Sequence, residues 1–411
     1  MPNAQGVFKQ TRVKRQAAKG TVAATGGAQI MRRESSTFAL KKDNFTTESE
    51  ITSTMQVTAN RHGAKQVDGK LTGLLSPGTY SDVLAALLRR DFAAVAAITN
   101  ASFTIANGAT VGGVQLYTLT RAAGSFLTDG AKVGMVGRLT AGAFNAGNLN
   151  KNLFITAVTA LALTVMTLDG SALTAQGPIA TATLTFPGKT TFVPTAGHTN
   201  VYYTVEEWMS DVPASEVNSD VKFTQAALSL PGSGNAKIDL TAMGLNQTNS
   251  AAAYFVTPTA ETTTAPVVAA SGALLVGGVP QAVITDLSVN IDGSGQVADP
   301  VVGTTLRPDV FSGKIKVSGQ FSAYFADSSI HTAFLQEQTL QILSALCADG
   351  SAGGDFITLA MTSVNINSSD PDDAETGIKR TYQYFAELDA GGGAGQATEK
   401  TTLQIQDSQA Q

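Results

Sequence analysis

The chain has 411 residues, a net charge of −5 and only 14% charged residues, against ~25% in an average domain. This excludes an overall basic nucleic-acid clamp and suits a subunit largely covered by its neighbours. Its single cysteine, Cys347, excludes an intrachain disulfide and a cysteine-rich metal site.

The length allows two to four domains at roughly 100–200 residues each. No apolar run of ~18 residues marks a membrane helix. No apolar leader marks a secretory signal, so assembly in a bacterial-type cytoplasm is the expectation. The aromatic girdles of a transmembrane barrel are not evident.

Residues 1–19 read as a polar N-terminal arm. Between Met1 and Arg33 there are seven Lys or Arg residues and no acid, which suits a flexible terminus or an arm docking on an acidic neighbouring subunit. Short strands are expected at Gly27–Met31 and Thr37–Leu40. Residues 41–66 carry alternating signs (Lys41, Lys42, Asp43, Glu48, Glu50, Arg61, Lys65) and read as a long projecting hairpin or loop. From Val67 to Leu75 apolar and polar residues alternate, the period of a half-buried strand. Ser76-Pro77-Gly78 then turns the chain. Ser81-Asp82 opens a helix carrying Val83, Leu84, Leu87 and Leu88, with Arg89 and Arg90 in its last turn, where the helix dipole favours cations.

Residues 94–200 have few charges and many Gly, Ala, Thr and Asn, and read as a small inserted β-barrel or β-sandwich. Phe154–Thr159 and Leu161–Met166 suit a tight hairpin. Residues 201–245 resume the sheet with Val201–Trp208, Val221–Leu230 and Ala236–Leu240. They complete a discontinuous first domain with residues 20–93. Residues 246–270 read as a linker with a strand at its end.

The second half, 271–389, repeats the order. Gly272–Val276 matches Gly27–Met31, and Ala282–Asn290 matches the Thr37 strand. Residues 291–310 take the place of the long loop. Phe311–Phe325 alternates cleanly and feeds a helix carrying Ile330, Phe334 and Leu335. Leu340–Leu346 matches Val201–Trp208, and the hairpin Phe356–Val364 with Ile378–Ala386 matches Val221–Leu240. Residues 390–411 read as a flexible tail. The fold class is therefore mainly β: two tandem sandwich- or barrel-type domains, each with one short α-helix, plus an inserted small β-domain.

No catalytic, metal or cofactor constellation emerges. His62, His198 and His331 lack partners at ligand spacing. Asp370, Asp372, Asp373 and Glu375 read as a solvated turn rather than a calcium loop. Asn290–Gly295 is good turn chemistry, and Gly391–Gly395 lacks the setting of a phosphate loop. Glu206 and Glu207 are adjacent, so in a strand they face opposite ways and form no catalytic pair. Cys347 follows an apolar run and reads as a buried thiol.

Ser36–Thr47, Ala64–Arg90, Tyr202–Leu240 and Thr285–Phe385 carry a repeated sheet unit with one short helix and a charged loop before its main strand. With the Gly/Thr/Ala-rich insertion, this pattern resembles the major tail tube proteins of long-tailed bacteriophages, in the group with two tube domains per chain. The resemblance covers about half of the chain and rests on element order rather than invariant motifs. It implies a structural virion protein, not an enzyme, that needs no cofactor. Tube domains would close edge to edge into rings, here of three chains as a pseudo-hexamer, stacked into a conduit for DNA. An external insertion would hinder a sheath and so favours the non-contractile, siphophage type.

The resemblance also implies residue roles. Contacts between rings would use Lys9, Arg12, Lys14, Arg15, Lys41, Lys42, Asp43, Glu48, Glu50, Arg61, Lys65, Asp292, Asp299, Arg307 and Asp309. The channel would be lined by Asp68, Lys70, Thr72, Ser312, Lys314, Lys316, Ser318 and Gln320, where the lysines sit oddly with a surface that DNA must slide past. Expected partners are other copies of the chain, tape measure, tail-tip and tail-terminator proteins, and double-stranded DNA in transit, with no membrane insertion. The alternative is a carbohydrate-binding adhesin or another tail or baseplate component. Phe103, Tyr117, Phe126, Phe144, Phe154, Phe186 and Phe192 in the insertion would then stack on sugars. A hydrolase would need convergent acids that the sequence does not display.

Overall fold

The computed structural model describes residues 3–46, 51, 53, 55–57, 59–281, 283–372 and 377–411. The first half opens with β1 (Lys9–Arg15), β2 (Gly26–Ile30), β3 (Ser35–Thr46) and β4 (Asn60–Leu74). In β4 the expected alternation holds: Val67, Gly69, Leu71 and Gly73 are buried, while Asp68, Lys70 and Thr72 face the other way. Helix α1 (Ser81–Leu88) buries Val83, Leu84, Leu87 and Leu88. It stops at Leu88, because Arg89 turns into the left-handed region at φ 59°. The two arginines thus lie beyond the last turn rather than in it.

The chain then builds a closed barrel from β5 (Ile98–Val111), β6 (Val114–Arg121), β7 (Val136–Ala141), β8 (Leu153–Val158), β9 (Ala162–Thr167) and β10 (Gln176–Thr185). Ala93 and Thr190 pair at its neck, so the chain leaves and returns at one point. Strands β11 (Lys189–Phe192), β12 (Tyr203–Met209), β13 (Ala214–Pro231) and β14 (Lys237–Gly244) complete the first half. Next come β15 (Asn246–Ser250) and β16 (Thr257–Thr259).

The second half holds β17 (Val268–Val276), β18 (Val279–Pro280), β19 (Ile284–Asp292), β20 (Gly295–Val297), β21 (Val310–Ser312) and β22 (Lys316–Tyr324). Helix α2 (Ser329–Leu335), β23 (Leu340–Cys347), β24 (Phe356–Asp372), β25 (Lys379–Ala386) and β26 (Gln404–Asp407) follow. Strands dominate, and α1 and α2 are the two α-helices among the described residues.

Pairing follows one order in both halves. The first runs β3–β4–β14–β13–β12–β1. The second runs β19–β22–β25–β24–β23–β17. Each also has a bulge at the same step, between Phe223 and Gln225 on β13 and between Ile366 and Ser368 on β24. The place of β17 is thus taken in the first half by Lys9–Arg15, not by the Gly27–Met31 stretch that the sequence suggested. The halves join where β13 pairs with β19, Gln225 opposite Asp292 through Pro231 opposite Asp286.

The position of β23 explains its largely apolar sequence. Ile342 and Leu346 enter the core shared by the two halves, while Leu343, Ala345 and Cys347 enter the core of the barrel. Both faces are buried, so no polar alternation is required. The barrel is therefore packed onto β17, β23 and the start of β24, with Leu275, Phe356 and Ala360 completing the contact.

Four segments differ from expectation. The N-terminal arm contains β1, with Thr11, Arg12 and Val13 buried. The strand expected over Phe311–Phe325 is broken into β21 and β22, because Gly313 turns away to donate its N–H to Gly293 and Ser294. The 246–270 linker is tied down by β15 on β13 and β16 on β2, and Phe255 is fully buried. The C-terminal tail is not loose: β26 lies between β24 and β11, and Leu403 and Ile405 are buried. The Lys132 ammonium also holds the carbonyls of Gly393 and Gln396 at 2.5 and 2.8 Å.

Candidate assembly interface

Eight strands form one continuous antiparallel sheet in the order β3–β4–β14–β13–β19–β22–β25–β24. Its two ends are open. Among the described residues β3 pairs only with β4, and Ser368–Asp372 of β24 pairs only with β25. Such an edge is a row of unpaired N–H and C=O groups and a template for another strand.

One face of this sheet is apolar and covered by the core; the other is polar. The cross-strand registers put Asp68, Asp239, Asp286, Asp292, Asp370 and Asp372 on the polar face with Lys41, Lys70, Lys237, Lys316 and Lys379. Within the eight strands, and leaving out Lys222, which falls opposite Met243 on the same side but is buried beside Asp309, six acids stand against five lysines, a net charge of −1. The charges alternate in space: Lys316 stands directly opposite Asp292, Asp372 opposite Lys379, and Lys41 is ion-paired with Asp68. Of the candidate channel residues, Asp68, Lys70, Thr72, Lys316, Ser318 and Gln320 lie on this face. Ser312 pairs with Gly295 in the small β20–β21 hairpin, and Lys314 follows it in the link to β22, so neither belongs to the eight-stranded sheet. The acids that offset the lysines were not visible from one strand at a time.

The β3–β4 hairpin extends as far as Thr46 opposite Asn60. Glu48 and Glu50 lie outside the described residues. The hairpin base and the 291–310 segment meet each other: Lys65 donates its N–H to Thr305, and Arg307 is 3.1 Å from Asp43. Both segments expose apolar side chains, Phe45, Ile51, Met55 and Val57 on one and Val301, Val302 and Leu306 on the other. Lys42, Arg61 and Asp299 are exposed beside them. A reading based on charge passed over these apolar tips.

The basic arm residues have partners within the chain. Lys9 is 2.7 Å from Glu207, and its ammonium also donates to the Ser36 carbonyl. Arg12 is 3.2 Å from Glu206, with both side chains buried. Lys14 donates to the carbonyls of Ala24 and Gly26. Arg15 bridges Asp82 and Asp91 at 2.6 and 2.7 Å, tying β1 to the first turn of α1 and to the segment that follows the helix. Asp309 accepts from Tyr202 and lies 4.0 Å from Lys222, whose ammonium burial pulls below its usual lysine range.

The residues weighed for chemistry sit in structural contacts. His62 bonds Asn44 across the hairpin, and His331 touches Ser369 and Arg380. Asp292 accepts the Ser294 N–H, and Asn290 accepts from Gln225. Asp373 and Glu375 lie outside the described residues. Burial pushes the Cys347 thiol up to about 12. In the barrel, Phe103, Tyr117, Phe126, Phe144, Phe154 and Phe186 are all buried in its core. They offer no faces for sugar stacking; the seventh, Phe192, is partly exposed, but its ring is covered by the Arg90 guanidinium 3.5 Å from the centroid, so the aromatic support for the adhesin alternative falls away.

A mainly β chain with a polar sheet face and two open sheet edges belongs to the class of β proteins that can take up further strands at those edges. A family model for phage tail tube proteins matches residues 9–390, and the chain belongs to that family. Comparison with curated proteins gives no match. The family is structural rather than enzymatic, its place is the tail of the virion, and no described helix is long and apolar enough to cross a membrane.

Proposed function

We propose that copies of this chain close edge to edge, three to a ring, and that the rings stack into the tail tube through which DNA passes into the host. The observation that carries this reading is the eight-stranded sheet with both edges unpaired. Closing it into a barrel removes those edges. The shared pairing order and the shared bulge support a duplicated tube domain, and so three chains where a single-domain subunit would need six.

The polar face would then line the channel. Its near-neutral, alternating charge suits passage of DNA, because an excess of lysine would release counterions and hold the phosphates. Contacts to the next ring would be made by the β3–β4 hairpin and the 291–310 segment. Arg61 and Asp299 keep the charged part of that role, and the exposed Phe45, Ile51, Val301 and Val302 add apolar area. Lys41, Lys65, Asp43, Asp292, Arg307 and Asp309 hold the same segments in shape from within the chain. Lys9, Arg12, Lys14 and Arg15 fasten β1.

The barrel is packed on the outer strands, away from the polar face, so it would decorate the tube's outside and obstruct a sheath, as in a non-contractile tail. Assembly in the host cytoplasm, around a tape measure protein and between tip and terminator proteins, completes the reading. Negative-stain electron microscopy of the purified chain tests it. Rings or stacked tubes are expected; a monomer that never polymerises, even when concentrated or seeded, would overturn it.

A further inference from the structure

The two open edges are related by the same internal symmetry that joins the halves. The bulges on β13 and β24 align Gln225 with Ser368. Following the ladders outward, Gln225 faces Thr241, Thr241 faces Lys70, and Lys70 faces Thr37. In the second half Ser368 faces Gln383, Gln383 faces Gln320, and Gln320 faces Ser288. Thr37 therefore corresponds to Ser288, and Lys41 to Asp292.

The helices agree with this alignment. Arg89 after α1 and Glu337 after α2 both adopt positive φ, at 59° and 51°. Each donates its N–H three residues back, and the residue after each donates five back, so Leu87 corresponds to Leu335. Leu87 is 2% exposed, under Gly293 at the end of β19, but Leu335 is 67% exposed. Arg89 reaches that same turn, donating to the Gly293 and Gly313 carbonyls at 3.1 and 2.6 Å. What covers Leu87 within the chain is the start of the loop after β19, and the matching position in the first half is Lys42, within β3.

Resting on the ring reading above, we infer that the contact between neighbouring copies repeats the internal β13–β19 ladder. Ser368–Asp372 of one copy lies antiparallel to Thr37–Lys41 of the next, with Asp370 opposite Ala39 and Ser368 opposite Lys41. Lys41 is then diagonal to Asp370, within reach of a long side chain. Lys42 lays its stem over Leu335 and sets its ammonium beside Glu337. The internal ladder of Gln225–Pro231 with Asp286–Asp292 contains no cation, so opposite charges face each other across the strand seam between chains and not across the one within. Assembly, unlike folding, becomes sensitive to salt.

Cysteine cross-linking tests the register. Residues 39 and 370 of one chain sit at opposite edges of the eight-stranded sheet, up to about 34 Å apart at ~4.8 Å per strand, so a disulfide between them must join two chains. In a Cys347→Ala background, oxidised assemblies of the Ala39→Cys, Asp370→Cys variant are expected to give a ladder of covalent multimers on a non-reducing gel. The Leu40→Cys, Asp370→Cys variant, shifted by one residue, should not. A ladder from the shifted pair alone, or rings with no ladder from the in-register pair, would overturn the register while leaving the ring reading intact. Wild-type chain that forms no rings would sink the ring reading itself. A second arm uses Lys42→Glu, which should weaken assembly at least tenfold, and Glu337→Lys in the same chain, which should restore it. No effect of Lys42→Glu contradicts the proposed contact.

Discussion

Arg12 and Glu206 stand directly opposite each other on β1 and β12 and form an ion pair at 3.2 Å with both side chains buried. The carboxylate is fully used. It also accepts from the Ser215 hydroxyl at 2.7 Å and from the N–H groups of Tyr254 and Phe255 at 2.6 and 3.1 Å. One side chain therefore fastens β1, β13 and the segment entering the second half. Glu206→Leu strands a buried guanidinium and two backbone donors, a change worth about 3–5 kcal/mol. A large fall in Tm is expected, with faster amide exchange around residues 250–256. Adding Arg12→Met should recover part of the loss but not the exchange protection.

Asp407 predicts a pH dependence. Burial pushes its carboxyl up to about 6, although the Gly78 and Gln409 N–H groups favour the ionised form. A carboxyl whose folded value exceeds its unfolded value of about 4 takes up a proton on folding. Its contribution is therefore fully present below about pH 4 and is lost as pH rises through about 6. Chemical denaturation of wild type and Asp407→Asn at pH 4, 5, 6 and 7 measures the effect. The stability of wild type relative to the variant should decline across that window by up to ~3 kcal/mol, and a flat difference would contradict the assignment.

The barrel is a structural part of the second half. Excising residues 94–189 and joining the neck would bare Leu343, Ala345 and Phe356, which now lie in the barrel's core. The expected product is insoluble or unfolded, read by solubility and circular dichroism. An autonomous appended module would instead leave a folded remainder.

Gly319 is placed where no side chain fits, since a Cβ there would collide with the Ser288 carbonyl and the Tyr384 ring. Gly319→Val should cost at least ~2 kcal/mol through overpacking and backbone shift. The measurement is equilibrium unfolding, with Ser318→Val on the polar face as a control expected to change stability by under ~1 kcal/mol.

The charge balance of the polar face can be reversed. Asp239→Lys with Asp292→Lys takes it from −1 to +3, since each substitution adds two charges. Assembled tubes of this variant should retain double-stranded DNA at low salt and release it as salt rises, while wild-type tubes retain little. A gel-shift titration distinguishes the two.

Much of the fold was legible because its signals are local. The alternation of Val67–Leu75 and of Val317–Ala323, the Ser-Asp start of α1 and the turn-rich barrel hairpins each depend on neighbouring residues. What failed depended on distant ones. The basic run Lys9–Arg15 looked like a free arm because its neutralising acids, Glu206 and Glu207, lie about two hundred residues away on β12. The C-terminal tail looked loose because its Gly-rich stretch hides Leu403 and Ile405, whose partners are β24 and β11. Half of the polar face was visible in β4 and β22. The rest required knowing that Asp239, Asp286 and Asp370 come into register beside them.

The mass of one ring tests the account most directly. Native mass spectrometry of short assemblies, or cryo-electron microscopy of the tube, counts the chains in each layer. The account predicts three, each contributing eight strands to one closed barrel. Six chains per layer would contradict the duplicated-domain ring, and open filaments with no closed layer would contradict the closure of the sheet itself.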